Sequence, residues 1–312
     1  MQEIGFRPEE ILDESRNHGS HQQDILFINQ KLKSKLTIYD TCWGKYAPHY
    51  YAKDLQKTLA DIVEVDLKTL NLDSYKNQDE LNNLEGSAII VERNDGKFLI
   101  FDWGDCYEVN QGIIKINNHP DCVGYFNSQP SNIINDDKTF IPHCEFKYEV
   151  FNKKYINHYE KDFDKLKDRV YFNGEITNLR IANNKFLKNQ SYKNHPEFDI
   201  LQKTDFDTYL QDIFKYKLVY SPAGGGDFAH RDFEIFALGI PIIRQKYRSL
   251  NTTLQEGIHY INVDSVDDYK TLLSDKKLLC EIGRNGREWY EENCLYPGNV
   301  FDMKQIILNK LL

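Results

Sequence analysis

Residues 217–244, KLVYSPAGGGDFAHRDFEIFALGIPIIR, limit what the chain can fold into more than any other stretch. An apolar run at 217–220 is rich in strand formers. Gly224, Gly225 and Gly226 then form a loop with no side chains to keep a ligand from the backbone. The spacing of Phe233, Phe236 and Ala237 predicts a helix over 232–238, stopped by Gly239 and Pro241 before a buried strand at 240–243. The loop therefore leads into a helix N-terminus, whose N–H groups and dipole favour an anion. Asp227, His230 and Arg231 stand at that end. Arg231 can fork two donors onto a phosphate. Glu234 lies one turn along on roughly the same side and can accept hydrogen bonds from a ribose. A glycine triplet can also be a plain flexible loop, and an arginine in a first turn a solvated surface residue. Their combination ahead of an apolar helix favours the anion site.

The chain has 312 residues, room for two domains. In the first half, 36–39 reads as a buried strand ending at Asp40, after predicted helices near Pro8 and over 24–36. An aromatic loop carrying His49 follows, then a helix over 53–62 and a strand at 63–66. This order starts a doubly wound α/β domain, in which ligands sit beyond the carboxyl ends of the strands. Asp40 and His49 are thus expected near a cleft; a surface loop packed by its own aromatics is the alternative. Asn94-Asp95-Gly96 between apolar runs signals a tight turn. The second of those runs ends in Asp102, a place suited to a catalytic carboxylate, with turn or capping duty as the alternative. Further strands are predicted at 121–126 and 139–142, and a polar link at 143–168.

The second half opens with a strand at 169–172. Gly174, Thr177 and Arg180 after it form another candidate phosphate loop; alternatively Thr177 caps a helix and Arg180 is solvated. Helices are predicted over 206–214, 265–273 (capped by Ser265), 276–294 and 299–312, with a strand at 258–263. Asp264, Asp267 and Asp268 read as a cap and a polar face rather than metal ligands.

Net charge is −9 with no long basic tract, which argues against a nucleic-acid binder. No apolar run approaches the roughly 18 residues of a membrane span. The first residues are polar and acidic, unlike a secretory signal, so a cytoplasmic location is expected. The six cysteines include no CxxC pair or zinc-ligand spacing and read mostly as free thiols.

The segment Arg231-Asp-Phe-Glu234 followed by Ile-Phe-Ala-Leu-Gly239-Ile-Pro241 resembles the donor-site signature of GT-B glycosyltransferases. In that superfamily a glutamate five residues before the glycine holds the donor ribose, and Glu234 stands at that place. The form with an arginine three residues before the glutamate is similar to the exostosin and protein O-glucosyltransferase (capsule-associated) families. The O-glucosyltransferase family also has a stretch like Phe172, Gly174, Thr177 and Arg180, although Asn173 replaces its arginine. Its catalytic aspartate falls in an Arg-Asp-aromatic segment that Asp102-Trp103 resembles without the arginine. A second acid eight residues before Glu234, present in many retaining members, is here Gly226, so the two-glutamate pattern is absent.

The resemblance implies two Rossmann-like doubly wound α/β domains facing a cleft: an acceptor-side domain at 1–160, a donor domain at 161–298, and a last helix at 299–312 returning to the first. It implies transfer of a sugar from a nucleoside diphosphate sugar, with a UDP-sugar favoured, to a glycan or glycoprotein hydroxyl. Inversion, no metal and no cofactor beyond the donor are expected. Gly174, Thr177, Arg180, Gly224, Gly225, Gly226, Asp227, His230, Arg231 and Glu234 would bind the donor. Asp102, then Asp40 and His49, are the candidate bases. The competing class is a non-catalytic nucleotide- or carbohydrate-binding protein on the same fold. A sulfotransferase would want a phosphate loop after the first strand, for which residues 41–45 are a poor fit.

Overall fold

A computed structural model of the chain describes residues 34–40, 47–69, 88–102, 119–127, 158–174, 195–201, 204–223, 228–247 and 253–312. The predicted helices before residue 34 and the strand at 139–142 lie outside these. The architecture is mixed α/β, with two parallel-rich five-stranded sheets.

The first sheet contains β1 (Lys35–Asp40), β2 (Glu64–Thr69), β3 (Ala88–Arg93), β4 (Phe98–Asp102) and β5 (Cys122–Asn127), in the order β2-β1-β3-β4-β5. Helix α1 (Ala47–Ala60) joins β1 to its parallel neighbour β2. Strand β3 alone runs against the rest. The cause is local: Asn94-Asp95-Gly96 turns β3 straight back into β4, with Gly96 N–H donating to the Arg93 carbonyl at 2.9 Å. In β1 the side chains of Leu36, Ile38 and Asp40 alternate inward. Lys35 and Leu36, expected to close a helix over 24–36, therefore open a strand.

The second sheet contains β6 (Lys167–Asn173), β7 (Phe198–Leu201), β8 (Tyr216–Tyr220), β9 (Ile242–Arg244) and β10 (Ile261–Asn262). All pairs are parallel, in the order β10-β9-β8-β6-β7. Every residue of β8 is buried, as a central strand covered on both faces requires. A short helix, α2 (His158–Asp162), precedes β6. Helices α3 (Phe206–Ile213) and α4 (His230–Leu238) pack on one face with Tyr171, Val219 and Ile242. Helix α5 (Tyr269–Ser274) and the first half of α6 (Lys276–Asn293) pack on the other with Phe172, Leu218 and Ile243.

Helix α4 ends where the sequence says it must. Gly239 adopts φ 67°, and its N–H returns to the Ile235 and Phe236 carbonyls. The close fit of α6 here needs a second glycine: a Cβ on Gly283 would stand 2.4 Å from the Gly239 carbonyl oxygen.

Two expectations shift. The strand predicted over 258–263 is only Ile261–Asn262, because 257–259 are taken up in a turn closed by Gly257 N–H to the Tyr260 carbonyl at 2.8 Å. The cap predicted at Ser265 is supplied by Asp268, whose carboxylate accepts from the N–H groups of Lys270 and Thr271 at 2.9 and 3.2 Å. Ser265 instead donates to the Asn262 carbonyl at 2.8 Å.

The last helix, α7 (Phe301–Lys310), leaves the second sheet altogether. Val300, Met303, Ile307 and Leu311 share one core with Leu36, Ile38, Leu55 and Leu59 of the first half. A polar contact pins the crossing: Asn299 Nδ2 donates to the buried Asp54 carboxylate at 2.9 Å.

Candidate active site

In the second sheet the chain runs from β6 outward to β7, then returns to the other side of β6 as β8. The strand order thus reverses between β6 and β8, and in open α/β sheets ligands bind beyond the carboxyl ends of strands at such a switch point. Both phosphate loops proposed from the sequence begin there. Gly174 follows β6, with φ 153°, a backbone shape that side chains rarely allow. Thr177 and Arg180 lie outside the described residues, as do Gly224, Gly225, Gly226 and Asp227 between β8 and α4.

Helix α4 starts at His230, two residues before the expected position; of His230 only the backbone is described. Its N-cap is Ala229, which has no side-chain oxygen to satisfy the first-turn N–H groups. Arg231 stands in that first turn, partly buried, with its guanidinium carbon 5.3 Å from the Phe172 ring centre and 5.4 Å from that of Tyr209. Phe172 and Tyr209 belong to the cores on opposite faces of the sheet, so the guanidinium lies across the end of β6. Aromatic rings hold a guanidinium by its flat face and leave its N–H edge for other partners.

Glu234 follows one turn later, also partly buried. Burial pushes its carboxyl above the ordinary value, and Arg231 and the Tyr209 hydroxyl oppose that rise. Nearby Tyr171 is pushed up to about 12, again by burial first. The structure thus brings together Arg231, Glu234 and Gly174 at the end of the sheet.

Sequence reasoning missed what lies beneath. Asp232, between the two site residues, is fully buried with Arg244 as its ion-pair partner. Its Oδ1 accepts from the Ser221 hydroxyl at 2.5 Å. Its Oδ2 accepts from the Ala229 N–H at 3.1 Å, the Tyr247 hydroxyl at 3.0 Å and the Arg244 guanidinium. Gln245 adds a second tie, accepting from the Ala223 N–H at 3.2 Å and donating to the Tyr220 hydroxyl at 3.1 Å. The available signal was Arg244 itself: a charge ending an apolar strand demands a counter-charge.

The candidate bases occupy the first sheet. Asp40 and Asp102 both end strands and are both 2% exposed. Asp40 pairs with Ile89 and Asp102 with Ala88, adjacent residues of β3. Paired residues share a face and adjacent residues do not, so the two carboxylates project from opposite faces of one edge. They are alternatives, not a dyad. Asp102 Oδ2 accepts from the buried Tyr125 hydroxyl at 2.6 Å. Asp40 lies on the face covered by α1, whose first turn includes His49; only the backbone of His49 is described.

Among the described residues no group of three or more His, Cys, Asp or Glu could hold a metal ion. No described helix is long and apolar enough to cross a membrane. Among the described residues Cys122, Cys280 and Cys294 form no disulfide, and the other cysteines lie outside the described residues.

No family model and no curated protein matches the chain. Several solved structures are distantly similar. A glycosyltransferase from Rickettsia africae is 12% identical, with a TM-score of 0.44 over 86% of this chain and 83% of its own. HepE from Anabaena, in complex with UDP and glucose, is 10% identical, with a TM-score of 0.45 over 87% of this chain and 97% of its own. A sucrose-phosphate synthase from Thermosynechococcus elongatus is 14% identical, with a TM-score of 0.41 over 64% of this chain and 60% of its own. Likenesses this remote leave the activity to be argued from the site.

Proposed function

We propose that the chain is a glycosyltransferase that moves a sugar from a nucleoside diphosphate sugar, with a UDP-sugar favoured, to a hydroxyl of a glycan or glycoprotein. One observation carries the reading: Arg231 and Glu234, a turn apart on α4, lie at the carboxyl ends of the strands flanking the topological switch. A cation in the first turn of a helix whose N-cap residue has no side-chain acceptor is the chemistry that a leaving diphosphate needs, and a carboxylate one turn away suits a ribose diol. In this reading Arg231, His230 and Arg180 receive the charge of the diphosphate. Backbone N–H groups at Gly174 and 224–227 add to them, Thr177 and Asp227 line the same site, and Glu234 takes the ribose hydroxyls.

The reaction is read as inverting and metal-independent, in a GT-B arrangement with domains at 1–160, 161–298 and 299–312. Asp102 takes the proton of the acceptor hydroxyl as that oxygen bonds to the sugar carbon and the bond to the diphosphate breaks. Asp40 and His49 are the alternative bases. The donor-site signature is read as that of the capsule-associated O-glucosyltransferase and exostosin families.

The test is calorimetric titration of UDP into wild type and Arg231→Ala, followed by mass analysis of reactions with UDP- and GDP-sugars. Arg231→Ala should weaken UDP binding roughly ten- to a hundredfold, the effect of losing a charged hydrogen-bond partner. Tight binding without turnover on any donor would point to the non-catalytic binding protein. Equal affinity in both proteins would remove Arg231 from the site.

A further inference from the structure

Arg231 and Glu234 can serve a donor only if the first turn of α4 is held in register with the end of β8. One buried carboxylate spans that join. Through Oδ1, Asp232 holds Ser221, the residue directly after β8; through Oδ2 it holds the N-cap of α4 and, in β9, Arg244. Gln245 repeats the pattern from the next position, gripping Ala223 and Tyr220. Every member of this network is buried or nearly so.

Its chemistry is hard to explain as stability alone. A buried ion pair is often no more stabilising than apolar residues of the same volume, whereas fixing a register is its best-attested use. The apolar core around it also seats α4, through Phe233, Phe236 and Ala237. What apolar packing does not supply is direction: the hydrogen bonds set the rotation of the first turn, and so where the Arg231 side chain leaves the helix.

We infer that Asp232 is a positioning residue of the donor site, acting through Arg231: with Arg244 it locks the end of β8 to the start of α4. The inference rests on the donor-site reading above. Its test uses Ser221→Ala, which removes the tie to β8 while leaving the ion pair in place, because Asp232→Asn would strand Arg244 and risk failure to fold. Affinity for UDP is measured by calorimetry in wild type, Ser221→Ala, Arg231→Ala and the double variant. Tyr247→Phe, which strips a hydroxyl from the same carboxylate but not from the end of β8, serves as the control for stability.

Ser221→Ala should weaken UDP binding about tenfold in the wild-type background and less than twofold in the Arg231→Ala background, the non-additivity of groups acting as one unit. Tyr247→Phe should stay within about twofold of wild type. Ser221→Thr, which keeps the hydroxyl, should restore binding. Additive losses in the double variant, equal losses in Ser221→Ala and Tyr247→Phe, or unchanged affinity in Ser221→Ala would each overturn the inference while leaving an Arg231-dependent site intact. A wild type that binds no UDP overturns the donor-site reading, and this inference with it.

Discussion

The carboxyl edge of the second sheet presents a guanidinium and a helix N-terminus, whereas the same edge of the first presents two carboxylates, Asp40 and Asp102. Topology accounts for much of the difference. In the all-parallel second sheet β7 returns to β8 through α3 and β8 to β9 through α4, so two helix N-termini lie at one edge, where N–H donors favour an anion. In the first sheet β3 runs the other way and is joined to β4 by a hairpin at the opposite edge. The middle of the carboxyl edge therefore holds the start of a strand, and its chemistry comes from side chains. In the proposed reaction the edge of the second sheet would receive the leaving diphosphate and the edge of the first would take the acceptor proton.

The sharpest way to separate the two edges is Asp102→Asn. Loss of a general base should lower turnover on a competent UDP-sugar by roughly a hundred- to ten-thousandfold. UDP affinity, measured by calorimetry, should stay at the wild-type value, since Asp102 belongs to the other sheet. Retained turnover would pass the role of base to Asp40 or His49, from which Asp102 is divided by the face it occupies.

A smaller effect tests how the halves are joined. Ile307 is on the last helix yet wholly buried in the core of the first sheet. Ile307→Ala should destabilise that core by about 2–5 kcal/mol, the usual range for truncating a buried aliphatic side chain. Hydrogen exchange should rise in β1 and α1 and not in β8 or α4. Equal loosening of both sheets would mean that they unfold as one unit.

The smallest effect is a pH slope from the second edge. Burial raises the Glu234 carboxyl above the ordinary value of 4.5. The folded protein then holds a proton that the unfolded chain has released, so stability falls as pH rises from about that value through the folded one. Glu234→Gln should flatten this part of the profile, as read from urea midpoints over about pH 4 to 7. An unchanged slope would show that Glu234 is solvated in the folded state.

Much of the second half was legible in local pattern. Helix α4 and its Gly239-Ile-Pro241 stop follow from the sequence because each depends on backbone preferences within a few residues. The β3–β4 turn was equally local. The short β10 and the cap at Asp268 were not, since turn bonds around Gln255, Tyr260 and Asn262 outweigh the propensity of an apolar run. The buried Asp232 was hidden for another reason: an aspartate between Arg231 and Phe233 looks like a surface residue until β9 delivers Arg244 beneath it.

The amino-acid order alone placed most of the strands and helices and the residue types at their ends, but not β7, the short α2 or the bounds of β10. Hydrophobic period and turn chemistry are short-range, so they survive without a fold. Tertiary structure alone decided that the carboxyl ends of β6 and β8 share an edge, and that Asp40 and Asp102 fall on opposite faces of theirs. Both depend on strand pairing between distant segments, where a shift of one residue turns every side chain to the other face.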